Sequence, residues 1–353
     1  MEACQGHGPI NLDAPPDGRL GAIKFKVQRV LGPQILHGSS LRHGRSTMGR
    51  AALRCVAGSG ILQFQTCSAA TFLAHGSIMS FMDNPRGPLL PLGAGIATVA
   101  RLAPTEAVRD LVVHYWLPSW EIPDGVIHEQ RILTYPGCNL AIEDGIGTIH
   151  GPVTRLSTKR LSGSGRAFGV LFRPGTGALL SNVPLQELVD SVTPVSTWGL
   201  DQAKAIQVAL DAERSTSQRQ LDAITIFESW IARRLPSGMD DEGALLNRIC
   251  VDIESTPDIQ RVGQICDRWK IGERTLQRLV RTRMGITPKW LLQRTRLQEA
   301  AALMGRGAGP DLARLAHALG YADQAHFTRD FTGVTGMSPG EYVRQVHAGS
   351  PNG

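Results

Sequence analysis

Hydrophobic and polar positions alternate in short runs through the first half of the chain and switch to helical spacing in the second. Val108–Trp116 and Arg131–Ile142 carry β-branched and aromatic residues in strand-like runs, and Gly145–Gly151 and Arg166–Phe172 continue the pattern between glycine-rich joints. Tyr135-Pro136-Gly137-Cys138 interrupts the second run and predicts a turn or bulge between two strands. Phe172-Arg173-Pro174-Gly175 ends a strand and opens a helical stretch, Thr176–Asn182, and Pro184 suits the first turn of another that reaches Val189. Ala203, Ile206 and Leu210, then Leu221, Ile224, Phe227, Trp230 and Ile231, recur at helical spacing, with a polar break at Arg214–Ser217 dividing two helices. Pro236–Gly243 reads as a linker, and Asp240–Glu242 put negative charge where a following helix dipole favours it.

Beyond the linker the pattern is helical and says one thing twice. A shift of 51 positions lays Leu276-x-Arg278 on Phe327-x-Arg329, and Gly285-Ile-Thr287-Pro288 on Gly336-Met-Ser338-Pro339. Two copies are too few for a solenoid and indicate a duplicated supersecondary unit. In the first copy Leu245, Leu246, Ile249 and Ile253 stripe one helix, a second spans Ile259–Trp269, and a turn at Lys270–Gly272 leads into a third, Glu273–Met284. Two short helices around a tight turn outline a helix-turn-helix, whose second helix meets base edges in the major groove. With Leu276 and Leu279 inward, Arg274, Gln277, Arg278 and Arg281 share the outer face. A connecting helix follows through Trp290, Leu297, Ala301 and Met304, and its length of roughly 22 Å suits two reading helices about one duplex turn apart. In the second copy Asp323 is a good N-cap for Gln324–Phe331, which presents Gln324, Ala325, Thr328 and Arg329.

The expected fold class is therefore multi-domain α+β. Residues 1–78, rich in Gly, His, Arg and Ser without sustained periodicity, read as a disordered extension or a misassigned start, with Met79 or Met82 as the natural beginning; a basic arm on DNA is the sharper reading of the same segment. Residues 79–198 form a mainly-β regulatory or sensor domain, 199–243 a helical connector and linker, and 244–347 an all-α domain with two helix-turn-helix motifs. The formal charge of +6 leans only gently toward an anionic partner, but its distribution is telling. Arg261, Arg268, Lys270, Arg274, Arg278, Arg281, Arg283, Lys289, Arg294 and Arg296 crowd the first copy against Asp267 and Glu273 alone. Six scattered cysteines form neither a C-x-x-C pair nor a disulfide framework, and no apolar run approaches a membrane span, so a cytoplasmic location is expected.

At Ala313-x-x-Ala316-x-x-Leu319-Gly320-Tyr321-x-Asp323-Gln324-x-His326-Phe327-x-Arg329-x-Phe331, completed by Gly336-Met-Ser338-Pro339-x-x-Tyr342, the chain resembles the DNA-binding domain of the AraC/XylS transcriptional regulators. The resemblance covers residues 258 to 346 and implies a two-motif helical reader of promoter DNA. It carries base contacts onto Arg274, Gln277 and Arg278 in one unit and onto Gln324, Ala325, Thr328 and Arg329 in the other. Gly272, where the family often has a capping Ser, and Ile265, where a small residue is common, depart from it. Arg131-Ile-Leu-x-x-Pro136-Gly137-Cys138 and Val170-x-Phe172-Arg173-Pro174-Gly175 resemble, more weakly, the regulatory domain of one branch of that family.

Double-stranded promoter or operator DNA is the expected partner, with RNA polymerase, a small-molecule effector and a second copy of the chain as further candidates; no cofactor, metal or enzymatic activity is expected. Tyr115, Trp116, Tyr135 and Arg131 are candidates for an effector pocket, against plain core packing. The competing reading makes the N-terminal domain a metal-binding or thiol-reactive, enzyme-like module, through His114, His128, Glu129 and His150 in a cupin-like barrel or through Cys138. His326 reads as structural, packing or capping beside Phe327.

Overall fold

A computed structural model describes residues 57–58, 61–62, 87–88, 96–133, 135–306 and 311–348. Strands β1 (Ala57–Gly58) and β2 (Ile61–Leu62) pair within a separate unit, Met1–Leu62, and the remainder belongs to Gln63–Gly353. Apart from those two strands, the expectation for residues 1–78 falls outside the described residues.

The short apolar runs become strands of two antiparallel sheets. The larger takes the order β11 (Val192–Pro194), β8 (Ile146–His150), β7 (Asn139–Glu143), β10 (Ser164–Phe172), β5 (Val112–Glu121), β4 (Ala97–Leu102). The smaller pairs β3 (Gly87–Pro88), β6 (His128–Leu133) and β9 (Ser157–Leu161). Tyr135–Cys138 thus does more than join two strands: β6 and β7 lie in different sheets, and the turn carries the chain between them.

Two short helices, α1 (Gly177–Leu180) and α2 (Leu185–Leu188), follow β10; Pro184 caps the second rather than entering it. The helices expected as a connector, α3 (Ala203–Asp211) and α4 (Thr216–Arg234), instead supply one wall of the sheet's core. Ile206, Leu210, Ile224, Phe227, Trp230 and Ile231 are buried with Tyr115, Phe168 and Phe172, because an amphipathic helix must cover its apolar stripe and the bare sheet face lies beside it. Phe227 sits at the centre, its ring within 6.1 Å of those of Tyr115, Phe168, Phe172 and Trp230. Glu228 beside it accepts from the Tyr115 hydroxyl at 2.9 Å and from the Thr105 hydroxyl at 2.7 Å, so the buried phenol is satisfied.

The C-terminal half contains α5 (Asp241–Ser255), α6 (Val262–Trp269), α7 (Glu273–Met284), α8 (Pro288–Arg306), α9 (Leu312–Ala318), α10 (Gln324–Thr335) and α11 (Pro339–Ala348). Helix α6 begins at Val262, three residues later than the apolar spacing suggested, because the Gln264 side chain accepts from the backbone N–H groups of Gln260 and Arg261 and fixes them as a cap. Leu246, Ile249, Ile265, Leu276, Leu279, Val280 and Leu291 build one core, and Leu297, Ala301, Leu315, Phe327, Phe331 and Tyr342 another. Gly285 and Gly336 close α7 and α10 in the left-handed conformation, at φ 72° and 69°. These are the matched glycines of the repeat.

The sheet domain and the helical half are bolted together at α5. A Cβ on Gly175 would lie 2.7 Å from the Gly243 Cα, so the two backbones touch where neither residue has a side chain. One turn on, Asn247, 9% exposed, accepts from Gly175 N at 3.0 Å and donates to the Asp110 carbonyl at 3.2 Å. The Tyr135 hydroxyl donates to Glu254 at 2.6 Å further along the same helix. Replacing Asn247 by Leu keeps its bulk but strands two buried backbone groups, and should cost about 1–3 kcal/mol, read as a lowered urea midpoint at unchanged m-value. An unchanged midpoint would show that the bolt contributes nothing.

Within the first unit Asp252 clasps α5 to α6, accepting from Arg268 Nε at 2.6 Å and Trp269 Nε1 at 2.9 Å. The Arg268 hydrogen bond, followed in weight by the Trp269 contact and the Arg268 charge, holds the carboxyl below its ordinary value against the opposing effect of burial. A depressed folded-state value means that the clasp stabilises above the ordinary aspartate range, near 3.9, and is lost as pH falls through the folded value. The stability gap between wild type and Asp252→Asn should be widest at neutral pH and narrow on acidification; a gap independent of pH between 7 and 3 would rule the clasp out.

Candidate nucleic-acid interface

Each candidate reading helix is set by its own turn. Lys270, at φ 52°, ends α6, and extended Gly272 starts α7 without a side-chain cap. Leu276, Leu279, Val280 and Met284 face inward, leaving Arg274, Gln277, Arg278 and Arg281 exposed along one side. In the second unit Asp323 caps α10, accepting from His326 N at 2.7 Å. Phe327 and Phe331 are buried, Gln324, Ala325 and Arg329 exposed, and Thr328 half-buried. His326 sets its ring edge-on to Tyr321 at 5.2 Å and lies 3.7 Å from Asp330.

The two units are joined beneath these faces. Gln260 Nε2 donates to the Ala318 carbonyl at 3.0 Å, and a Cβ on Gly320 would lie 2.5 Å from Gln260 Oε1. The glycine therefore admits a side chain of the first unit into the turn of the second. Between them opens a cleft of about 1480 Å³. Arg261, Arg274, Arg278, Arg281, Lys289 and Arg296 line it against Glu273 and Asp330. The structure brings the α7 residues together with His326 and Asp330 of α10 in this cleft, whereas Gln324, Ala325, Thr328 and Arg329 lie outside its lining.

The basic crowd of the first copy divides by role. Arg268 is spent on Asp252. Arg283, with its side chain 11% exposed, is held by Asp240 at 2.6 Å and Glu242 at 3.1 Å. Arg294 is fully buried, with its guanidinium 5.8 Å from the Trp290 ring centroid. Arg278 is more exposed, yet its Nη2 donates to Glu242 at 2.9 Å, and this bond leads the effects that hold the Glu242 carboxyl below its usual range. The acidic start of α5 therefore faces α7 as well as serving its own dipole. Lys289, Arg296 and Tyr321 were given no role from the sequence, although Lys289 and Arg296 stand seven residues apart on one helix and so share a face.

The candidate effector residues separate. Tyr115 is fully buried in the sheet core, stacked on Phe168. Tyr135 is buried at the bolt with Glu254, Arg131 is half-buried on β6, and Trp116 lies flat over Gly169, where a Cβ would meet its ring at 1.9 Å. None of the four lines the cavity of about 640 Å³ where Thr98, Ser119 and Arg166 of the sheet meet Gln207, Asp211 and Arg219 of α3 and α4. Cys138 is buried, and burial pushes its thiol up to about 12, far from thiolate formation at neutral pH. His114 and His150 sit on strands of the larger sheet, and His128 and Glu129 on the smaller. Among the described residues no group of three or more His, Cys, Asp or Glu side chains is placed to hold a metal, and no helix is long and apolar enough to cross a membrane.

Residues 265–345 match the model of a helix-turn-helix domain, and residues 100–194 that of a domain of unknown function, DUF6597. The transcriptional activator RhaS of Escherichia fergusonii is 28% identical over 162 residues, 42% of this chain and 58% of that protein. RhaS of Pectobacterium carotovorum subsp. carotovorum is 32% identical over 77 residues, 22% of this chain and 27% of that protein. The chain thus spans between about a quarter and three-fifths of these relatives. Among solved structures, ToxT from Vibrio cholerae aligns over 70% of this chain and 97% of its own at 13% identity and TM-score 0.36. The C-terminal domain of the response regulator AraT from Geobacillus stearothermophilus aligns over 28% of this chain and 81% of its own at 26% identity and TM-score 0.25. The C-terminal helix-turn-helix segment of this chain is thus similar to those of AraC-type transcriptional regulators.

Proposed function

We propose that the protein is a sequence-specific transcription regulator whose α7 and α10 read successive major grooves of one operator. The observation that carries this is the pair of helices closed by left-handed glycines, each with a buried apolar stripe and an outward polar face, tied by Gln260 and Gly320 into one unit with a cationic cleft between them. Arg274, Gln277, Arg278 and Arg281 act in one groove, Gln324, Ala325, Thr328 and Arg329 in the other. Arg and Gln are suited to guanine and adenine edges, and Arg281 also to phosphate. The sheet domain, joined to α5 through Asn247, is the regulatory part, and the cavity walled by Arg166 and Gln207 is its effector site.

Selection of bound sequences from random DNA tests the reading directly: two half-sites about 10 bp apart should emerge, and recovery of no preferred sequence would overturn it. Arg278→Ala and Arg329→Ala should each cost about 1–3 kcal/mol at the selected site and relax preference at a single position. Equal discrimination between selected and scrambled DNA in both variants would remove these arginines from base reading. Glu242→Gln should tighten binding roughly twofold to fivefold at low salt, the scale of one exposed ion pair, because Arg278 is released and a charge that repels phosphate is lost. Unchanged or weaker binding would show that Glu242 does not compete with DNA for Arg278.

A further inference from the structure

The lining of the cleft holds two donors that belong to neither reading helix. Arg296, on α8, lies two turns beyond Lys289 on the same face, about 10 Å along the axis at ~1.5 Å per residue. Its guanidinium is half-buried, its Nε is shielded from water without a hydrogen-bond acceptor, and among the described residues it forms no ion pair. Burial holds it below the ordinary arginine value, and Tyr321 and then Glu299 only partly offset this. Tyr321, 6% exposed, has its ring fixed edge-on by His326 and Phe327. Its hydroxyl is buried and lacks an acceptor at good hydrogen-bonding geometry, the nearest being the Asp330 carboxylate, which with Arg296 lies close enough to act on it. Asp330 is itself engaged, accepting from Gln293 Nε2 at 2.6 Å with His326 at 3.7 Å.

A shielded guanidinium Nε without an acceptor and a buried hydroxyl with only a poorly placed one are costly, and native proteins keep few of them. An anion with several acceptor oxygens would satisfy both, and charge-assisted hydrogen bonds of this kind are the strong ones. The surroundings agree: Arg261 and Lys289 extend the positive lining, and the 19-residue helix α8 opens its N-terminal end into the same cleft.

We propose that Arg296 and Tyr321 form a phosphate site that takes one DNA backbone phosphate between the two grooves read by α7 and α10. The inference rests on the DNA-binding reading and adds to it an anchor that is blind to sequence, since phosphates carry no base identity. Held at the joint of the two units, the anchor fixes where both reading helices fall along the duplex. A free phosphate or phosphorylated metabolite shares the chemistry, so the test must separate the two sources.

Full-length protein, Arg296→Gln and Tyr321→Phe would be titrated with selected and scrambled DNA across a salt series. Arg296→Gln should weaken both DNAs by the same factor, about tenfold or more, and flatten the salt slope by about 1. Tyr321→Phe, which keeps the ring, should weaken both equally with little change of slope. Replacing single spacer phosphates by methylphosphonate should reveal one position where the wild type loses affinity and Arg296→Gln loses no more. Equal affinity and slope in wild type and Arg296→Gln, or additive losses at every spacer phosphate, would overturn the proposal. It would also fall if inorganic phosphate at constant ionic strength raised the Tm of wild type but not of Arg296→Gln while both bound DNA alike; the occupant would then be a free anion. Absence of DNA binding by the wild type would instead remove the DNA-binding reading on which the proposal rests.

Discussion

The contact on which the arrangement depends is the approach of Gly175 to Gly243, closed by the Asn247 amide. Two backbones can meet this closely only where neither carries a Cβ, and the polar groups thereby buried must find partners inside the protein. Asn247 provides one acceptor and one donor, the pair needed to satisfy an N–H and a carbonyl at once. Because α5 is the first helix of the helical half, this bolt places α6 and α7 relative to the sheet. The same logic recurs at the far end of α7, where a Cβ on Gly285 would lie 2.5 Å from the Leu185 carbonyl oxygen. On the second unit Leu133 of the small sheet is fully buried among Leu297, Phe327 and Phe331. The sheet domain thus touches both helical units through close-packed contacts, and interiors packed to this density compress little.

Charge is distributed by the same economy. A string of cations in the sequence suggests a continuous phosphate-binding surface, but several must neutralise carboxylates that the fold brings near. Asp252, Asp240 and Glu242 capture Arg268 and Arg283 and reach Arg278. What remains in the cleft is Arg261, Arg274, Arg281, Lys289 and Arg296, a smaller and better-placed set. The acidic start of α5 acts twice, capping its own helix through Asp240 and restraining the face of α7 through Glu242.

The helical half was legible from the sequence because its information is local. Periodicity named the buried stripe of α7 and of α10, Asp323 announced the cap of α10, and the paired glycines at 285 and 336 marked the closing turns, all decided within one or two helical turns. Strand existence was legible for the same reason, since β-branched and aromatic runs report a pleated, half-buried surface. Which strands share a sheet was not. The turn at Tyr135–Cys138 looks the same whether it joins neighbours or crosses between sheets, and only the pairing of β6 with β9 and of β7 with β10 decides.

By itself, then, the sequence determined a duplicated helical unit and the side chains on its outer faces, because helix geometry alone orders residues three and four apart. The tertiary structure decided everything that depends on residues distant in the chain. It made α3 and α4 a wall of the sheet core, turned Tyr115 and Tyr135 inward to Glu228 and Glu254, and diverted Arg278 toward Glu242. It also set Arg296 and Tyr321 together in the lining of a cleft. Burial and pairing follow from which surfaces meet, and no period of 2 or 3.6 encodes a meeting between positions 25 to 119 residues apart.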